Sequence, residues 1–235
     1  MDWLDEVVSR LEPATSDVTL TATAVWTVLA GSLLVVAVEP LWRILRIAVT
    51  LVHELGHAVV GMAVGRRFTG FVLRGDMSGH AVTVGRPRGL GRIVSTWAGY
   101  PAPAVIGAAM AWVAGRGWSA AFVGGVIVVL LVALLRVRSA LTLLVMVAAI
   151  TATAALWWWR DDTLQAQLLV GTGIVLVIGA WRHLAAVATT RDRSSDPGVL
   201  ASLTHVPRVV WNLSFAAVCA AATWLVAAEV VGALR

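Results

Sequence analysis

Seven apolar stretches follow one another along the chain, separated by short polar connections. They cover residues 18–38, 41–64, 90–114, 118–135, 140–159, 164–184 and 209–232. Each is close to the ~17–25 residues that a helix needs to cross the hydrocarbon core of a bilayer. The pattern predicts an all-α polytopic membrane protein of about seven transmembrane helices, which form a single integral membrane domain over residues 1–235.

The connection between the second and third stretches, residues 66–88, has the pattern of a β-hairpin. Turn formers at 75–79 separate two strand-like segments, of which the second, residues 80–84, reads His-Ala-Val-Thr-Val. In the first, Phe68, Gly70 and Val72 alternate with Thr69, Phe71 and Leu73. An unpaired hairpin edge can accept an extended peptide as an added strand. If a peptide binds there, proline at Val82 or Val84 impairs turnover, provided that the lost N–H faces the peptide. An ordinary solvated hairpin is the alternative.

Two prolines, Pro101 and Pro103, interrupt the third apolar stretch. They break the helical hydrogen-bond ladder, and the freed carbonyl groups at membrane depth need a protein or water neighbour. A water-lined active site would supply that neighbour. Close helix packing at the small residues Gly107 and Ala108 is the alternative.

The composition supports a membrane protein. Hydrophobic residues make up 59% of the chain and charged residues 13%, and the mean hydropathy is +0.86. An ordinary soluble domain is about half apolar and about a quarter charged. The net charge of +5 is carried by arginines that lie between the apolar stretches. We therefore interpret the arginines as topology signals and expect no nucleic-acid partner.

Arginine counts predict how the helices are oriented in the membrane. If the chain changes sides at each apolar stretch, thirteen arginines fall on the side of the N-terminus and five on the other. The arginine-rich side is expected to be cytoplasmic, which places the N-terminus inside and the C-terminus outside. The first seventeen residues lack the positive region of a cleavable signal, so the first stretch is predicted to be a retained helix.

Three ionisable residues, His53, Glu54 and His57, lie inside the second apolar stretch, which we predict to be a metal-binding helix over residues 41–64. Ionisable groups at membrane depth are costly and indicate a functional site. His53 and His57 are four residues apart, so both rings project from one helix face and can supply two corners of a zinc site. Glu54 lies about 100° around the helix, where it can act as general base on a metal-activated water. Two buried histidines paired with a glutamate are the alternative.

A catalytic zinc site needs a third protein ligand, and the acids and histidines on the cytoplasmic side are the candidates. The segment 185–208 contains three of them, Asp192, Asp196 and His205. Asp196 precedes Pro197 where the chain re-enters an apolar segment, whereas Asp192 lies between two arginines and is expected to be solvated. We therefore predict Asp196 as the third ligand, with Asp192 and His205 as alternatives.

These motifs together resemble the M50 family of membrane-embedded metallopeptidases, most of all its compact M50B-like bacterial branch, which is related to site-2 proteases. The resemblance rests on His53-Glu54-Leu55-Gly56-His57, Gly79, Ala98-Gly99-Tyr100, Ser195-Asp196, Thr204, Val206-Pro207 and Val210-Trp211. It implies that His53, His57 and Asp196 hold Zn²⁺ and that Glu54 activates water. Site-2 proteases carry Asn-Pro ahead of Leu-Asp-Gly, but residues 191–198 contain neither the Asn nor the Leu.

The first functional hypothesis is a zinc-dependent endopeptidase that cleaves a transmembrane or juxtamembrane peptide of a membrane protein in the lipid bilayer. The resemblance implies a bacterial plasma membrane, and the arginine counts place the active site towards the cytoplasmic side. The second hypothesis is a non-proteolytic metal-binding membrane regulator or transporter-like protein. The presence of Glu54 argues against this second hypothesis, because a protein that only binds a metal needs the ligands and no general base. A hydrolase that acts on a lipid or a small amide is the third. The sequence specifies neither the substrate nor the oligomeric state.

Overall fold

A computed structural model describes residues 3–14, 21–76 and 78–234 of the chain. Within these ranges it contains ten helices and one two-stranded sheet. The helices, named α1 to α10 in chain order, are Trp3–Ser9, Ala22–Ala37, Glu39–Ala63, Leu90–Trp97, Pro101–Ala114, Ser119–Leu134, Ala140–Trp158, Asp162–Thr189, Asp196–Thr204 and Arg208–Ala233. The strands are β1, Arg67–Leu73, and β2, Gly79–Val84.

Each predicted apolar stretch lies on one helix or on a consecutive pair, but not every helix has the length of a membrane span. Among the described residues, four helices are long and apolar enough to cross a membrane: α3, α7, α8 and α10. The apolar helices α2, α5 and α6 are shorter. The helical architecture with a small hairpin is confirmed, whereas the count of seven spans is not. Residues 18–20, where the first stretch was predicted to begin, lie outside the described residues.

Helix α8 is the central helix of the molecule. Its most apolar window is 61% buried, compared with 11% to 33% for the other three long helices. Helix α5 crosses it where Gly107 meets Gly173, and a Cβ on either glycine would lie 2.5 Å from the carbonyl oxygen of the other. Small residues allow this close approach in a membrane protein. The α5–α8 pair therefore forms the scaffold on which α3 is placed.

Helices α2 and α3 run in the same direction past α8. The contacts that show this are Ser32 with Gly171, Val49 with Gly179, and His53 with His183. Only Val38 separates α2 from α3, and a reversal between antiparallel helices needs a connection of about two residues or more. Sequence analysis predicted a reversal at this point, because hydropathy counts apolar residues without giving the direction of the chain.

The helix ends form two groups at opposite sides of the molecule. At one side, Ala14 donates to the Gly117 carbonyl (2.9 Å), Arg160 contacts the Ser9 carbonyl, and Arg116 pairs with Glu229 (2.9 Å). We name this side the α1 end. The other side carries the hairpin, the start of α4 and the segment 190–207, and we name it the hairpin end. The described chain passes between the two ends six times, in α2–α3, α4–α5, α6, α7, α8 and α10.

The predicted hairpin is present, and one of its edges is occupied. The register pairs Val72 with His80 and Phe71 with Ala81, and a bulge lies between Phe68 and Gly70. On the outer side of β1, Phe71 N–H donates to the Arg136 carbonyl (3.1 Å), and Arg138 N–H donates to the Phe71 carbonyl (3.2 Å). Residues 136–138 therefore cover the edge of β1, and no strand in the described ranges covers the edge of β2.

The predicted interruption of the third apolar stretch separates α4 from α5. Three residues, Ala98 to Tyr100, form a turn directly before Pro101. Proline has no N–H, so the ladder stops there, and the Ala102 N–H is shared between the carbonyls of Ala98 (3.2 Å) and Gly99 (3.3 Å). The break places Gly99 and Tyr100 beside the two histidines of α3, His53 and His57.

Candidate metal centre

The two histidines of α3 face each other across one helical turn. Their Nε2 atoms lie 3.1 Å apart, and the rings meet edge to face with centroids 4.8 Å apart. This is the geometry that a spacing of four residues gives on a helix. Both side chains are only 13% exposed. The two histidines are therefore a buried pair of candidate nitrogen ligands on one face of α3.

Asp196, from a segment distant in sequence, lies next to the two histidines and completes the group. It is the first residue of α9, and its Oδ2 atom lies 3.3 Å from His53 Nε2 and 3.1 Å from His57 Nε2. The turn before α9 is tightly fixed, because a Cβ on Gly198 would lie 2.7 Å from the carbonyl oxygens of Asp192 and Arg193. The structure thus brings together three side chains that could hold a metal ion.

Hydrogen bonding shows that this arrangement fits a cation. His57 Nδ1 lies 2.7 Å from the Ser95 carbonyl, which only accepts, so Nδ1 carries a proton, and in the neutral ring this leaves Nε2 with a lone pair. The Asp196 Oδ2 atom is buried without a hydrogen-bond partner. Electron-rich atoms facing one another are unfavourable unless a positive charge lies between them. Their separations of 3.1 to 3.3 Å match the edge of about 3.3 Å expected for tetrahedral zinc with bonds of about 2.0–2.1 Å.

The two alternative ligands do not join the group. Asp192 is exposed and accepts hydrogen bonds from the N–H (2.8 Å) and Oγ (2.8 Å) of Ser194, and these bonds hold the pKa of the Asp192 carboxyl below its usual value. His205 is exposed at the end of α9, in a left-handed conformation with φ of 61°. Neither residue belongs to the metal-compatible group of the described chain.

Glu54 faces the same cavity without being part of the three-residue group. It is 5% exposed, and a Cβ on Gly79 would lie 2.6 Å from its Cγ and Oε1 atoms. The Glu54 carboxyl therefore lies against the backbone of β2. The cavity has a volume of about 250 Å³, and His53, Glu54, His57 and Asp196 all line it. A carboxylate beside a metal-binding group is the arrangement expected for a general base.

Several residues that shape the site carry no functional signal in the sequence. The Ser95 carbonyl that orients His57 is a backbone group, and its role depends on the packing of α4 against α3. The sequence singled out Gly79 and Gly99 only as parts of family motifs. A Cβ on Gly99 would overlap the His57 ring and lie 2.8 Å from His53 Nε2, so this glycine leaves room for the two candidate metal ligands.

The two glycines give a matched prediction. Gly99→Ala is expected to lower the metal content and the activity together, because its Cβ displaces the imidazoles. Gly79→Ala is expected to retain the metal and to lose activity, because the three atoms nearest its Cβ all belong to Glu54. Gly75→Ala is the control, since nothing lies within 4 Å of a Cβ there. Elemental analysis of purified protein beside a cleavage assay measures both quantities, and full metal content in Gly99→Ala would contradict the geometry.

Comparison with known proteins adds one finding. A family model described as Peptidase M50B-like matches residues 25–226, which include the whole candidate site. No curated protein and no solved structure matches the chain.

Proposed function

The chain belongs to the M50B-like peptidase family, and we propose that it is an intramembrane zinc metalloprotease that cleaves a transmembrane or juxtamembrane peptide. The family consists of integral membrane metallopeptidases, and the described residues include four helices that could span a membrane. The observation that carries the proposal is the convergence of His53, His57 and Asp196 in one cavity with Glu54.

Each of these residues has a separate task in peptide hydrolysis. His53, His57 and Asp196 would hold the zinc ion, which supplies Lewis acidity when bound. Glu54 accepts a proton from the attacking water at its carboxylate and later delivers a proton to the departing amine nitrogen. The Ser95 carbonyl keeps the proton of His57 on Nδ1, so that Nε2 remains a ligand. Burial of the site excludes bulk water and strengthens these interactions.

A comparison of membrane peptides tests the proposal against a non-proteolytic metal-binding protein. Cells that produce the wild-type chain and cells that produce Glu54→Gln are compared for shortened membrane proteins, and zinc in both purified proteins is measured by elemental analysis. A protease yields fragments that depend on Glu54. Bound zinc in both proteins without any such fragment would support the regulator or transporter-like alternative.

The arrangement of helix ends supports a cytoplasmic location for the site. In the described chain, nine arginines lie in connections at the hairpin end, two more lie in the first turns of α4 and α10 at the same end, and three lie at the α1 end. The arginine-rich end is expected to be cytoplasmic. His57 lies on the half of α3 that leads to the hairpin. We infer that the metal site lies in the cytoplasmic half of the membrane, and that both described ends of the chain lie outside.

Reporter fusions check this topology. Reporters placed before Trp3 and after Ala233 are expected to lie on the same side, and one placed after Arg88 on the opposite side, because the chain passes between the two ends six times. Seven alternating spans give another result, with the reporter before Trp3 on the same side as the one after Arg88. Finding those two together would contradict the common direction of α2 and α3.

The free edge of β2 offers a place for the substrate backbone. The N–H groups of Phe71 and Leu73 donate away from β2. Paired residues of an antiparallel sheet face each other alternately with and without hydrogen bonds, so the backbone N–H groups of their partners, Ala81 and Gly79, point away from β1. Gly79 and Ala81 both line the metal cavity. A peptide that added to this edge as a strand would pass directly beside the metal site.

This register also corrects the positions chosen from the sequence. The backbone N–H groups of Val82 and Val84 point towards β1, so proline at either position would remove a hydrogen bond of the hairpin itself. The sequence could not reveal this, because the contacts of β1 with the distant residues 136–138 decide which groups face outward.

Ala81→Pro is expected to impair turnover by raising KM and lowering kcat, while zinc content stays unchanged. Proline removes an outward N–H, and an edge strand tolerates it at such a position. Ala81→Val is the control, because it adds comparable bulk and keeps the N–H. Steady-state kinetics with elemental analysis measure the effect, and equal kinetics of the two variants would leave the hairpin as a structural element only.

A further inference from the structure

The single tyrosine of the chain lies against the metal-binding residues. Tyr100 occupies the turn between α4 and α5, and its ring meets the His53 ring edge to face, with centroids 4.8 Å apart and planes at 87°. It lines both the 250 Å³ metal cavity and a neighbouring polar cavity of about 560 Å³. The mechanism described above gives this residue no task.

The position of the Tyr100 ring is fixed from two sides. Besides His53, the ring stacks on Phe215 of α10, with centroids 5.1 Å apart and planes at 20°, and Phe215 is fully buried. Next to it, Trp97 Nε1 donates to Ser214 Oγ (2.9 Å) and ties the end of α4 to α10. A ring held in this way directs its hydroxyl without a large loss of side-chain entropy when a ligand binds.

The Tyr100 hydroxyl is available as a donor. Among the described residues no hydrogen bond engages it, and its electrostatic neighbours are the carboxylates of Asp196 and Glu54 and the guanidinium of Arg208. The serine hydroxyls of the cavity are already engaged: Ser95 Oγ donates to the His57 carbonyl (3.1 Å), and Ser195 Oγ donates to the Asp192 carbonyl (2.7 Å). They are therefore not free to bind a substrate oxygen.

Three other lining side chains, His80, Arg92 and Thr96, have no hydrogen bond within the described residues. None of them makes a ring contact with a metal-binding residue, as Tyr100 does with His53. Peptide hydrolysis needs a donor aimed at the carbonyl oxygen, because negative charge develops there in the transition state. A bound zinc ion would share this charge as a Lewis acid, but none of His53, Glu54, His57 and Asp196 donates a hydrogen bond to that oxygen in its candidate role.

We propose that Tyr100 is a catalytic residue that donates a hydrogen bond to the carbonyl oxygen of the scissile peptide bond, an inference that rests on the proposed function. The water oxygen bonds to the carbonyl carbon while the carbonyl π electrons move to its oxygen. Glu54 takes a proton from the water and delivers it to the amine nitrogen as the C–N bond breaks. Tyr100 keeps its proton throughout and stabilises the oxyanion by the hydrogen bond.

Tyr100→Phe tests this role with little change in packing, because phenylalanine keeps the contacts with His53 and Phe215. With fluorescent casein as an unfolded substrate, kcat is expected to fall about 10²–10³-fold, the usual effect of removing one oxyanion donor. KM and zinc content are expected to stay near their wild-type values. Tyr100→Leu, which also loses the ring contacts, is the comparison variant and is expected to disturb KM or zinc content as well.

Binding of a phosphinic peptide provides a readout that does not depend on turnover. Its tetrahedral anionic group imitates the oxyanion, so Tyr100→Phe is expected to weaken its binding to the zinc-loaded protein by about the factor lost in kcat/KM. Equal affinity of wild type and Tyr100→Phe would overturn the assignment, as would loss of affinity in Arg92→Gln or His80→Gln instead. If cells that produce the wild-type chain yield no membrane-protein fragment that depends on Glu54, the proposed function fails, whereas the inhibitor result still decides the donor role of Tyr100.

Discussion

Glu54→Gln is expected to keep its full complement of metal and to lose about 10²–10⁴-fold in cleavage rate, the usual worth of a general base. Glutamine has the shape of glutamate, so the space left by Gly79 still accommodates it. An amide cannot accept the proton of the attacking water. The three residues that could hold the metal remain in place, because Glu54 is not one of them.

The measurement is zinc per protein by elemental analysis beside the cleavage rate of the same preparation. Glu54→Asp is the informative second variant, since it keeps the carboxylate but draws it back by one methylene. Partial activity there, with none in Glu54→Gln, would identify proton transfer as the lost step. A loss of zinc in Glu54→Gln would instead identify Glu54 as a ligand and contradict its assignment as the base.

Local spacing along one helix carries most of what the sequence could predict about the site. His53 and His57 had to share a face because four residues make about one turn, and the apolar surroundings made their polarity informative. The hairpin and the break at Pro101 were also predictable, because alternation and proline act within a few residues. The prediction of Asp196 needed more: it came from counting sides of the membrane, from the apolar segment that begins after it and from a family resemblance, and the structure has it next to the histidines.

The features that sequence reasoning missed depend on contacts between distant segments. The common direction of α2 and α3 is set by packing along α8, at pairs such as Val49 with Gly179. The free edge of the hairpin is set by residues 136–138, which pair with Phe71. The orientation of His57 is set by a carbonyl, that of Ser95. Periodicity within one element cannot reveal which partner the element meets, so these features required the structure.

Asp196→Asn is expected to cause a large loss of metal and of activity together. The carboxylate is the charged member of the group, and its Oδ2 atom lies 3.1 to 3.3 Å from both Nε2 atoms. Changing a residue that only hydrogen-bonds to a metal ligand typically costs about 10–100-fold in metal affinity, and weakening a direct ligand is expected to cost more. Asp192→Asn is the matched control, because Asp192 is exposed and bonded to Ser194.

Thermal unfolding with and without zinc gives the prediction a sign as well as a size. Without metal, a protonated imidazole can donate to the Asp196 carboxylate, so Asp196→Asn is expected to melt slightly below the wild type. With zinc, the wild type gains RT ln(1 + [Zn]/Kd), about 2.7 kcal/mol at a hundred times Kd, and the variant gains little. The difference between the two melting temperatures is therefore expected to widen when zinc is added. Equal zinc-induced shifts in Asp196→Asn and wild type, with a reduced shift in Asp192→Asn, would move the third ligand to Asp192.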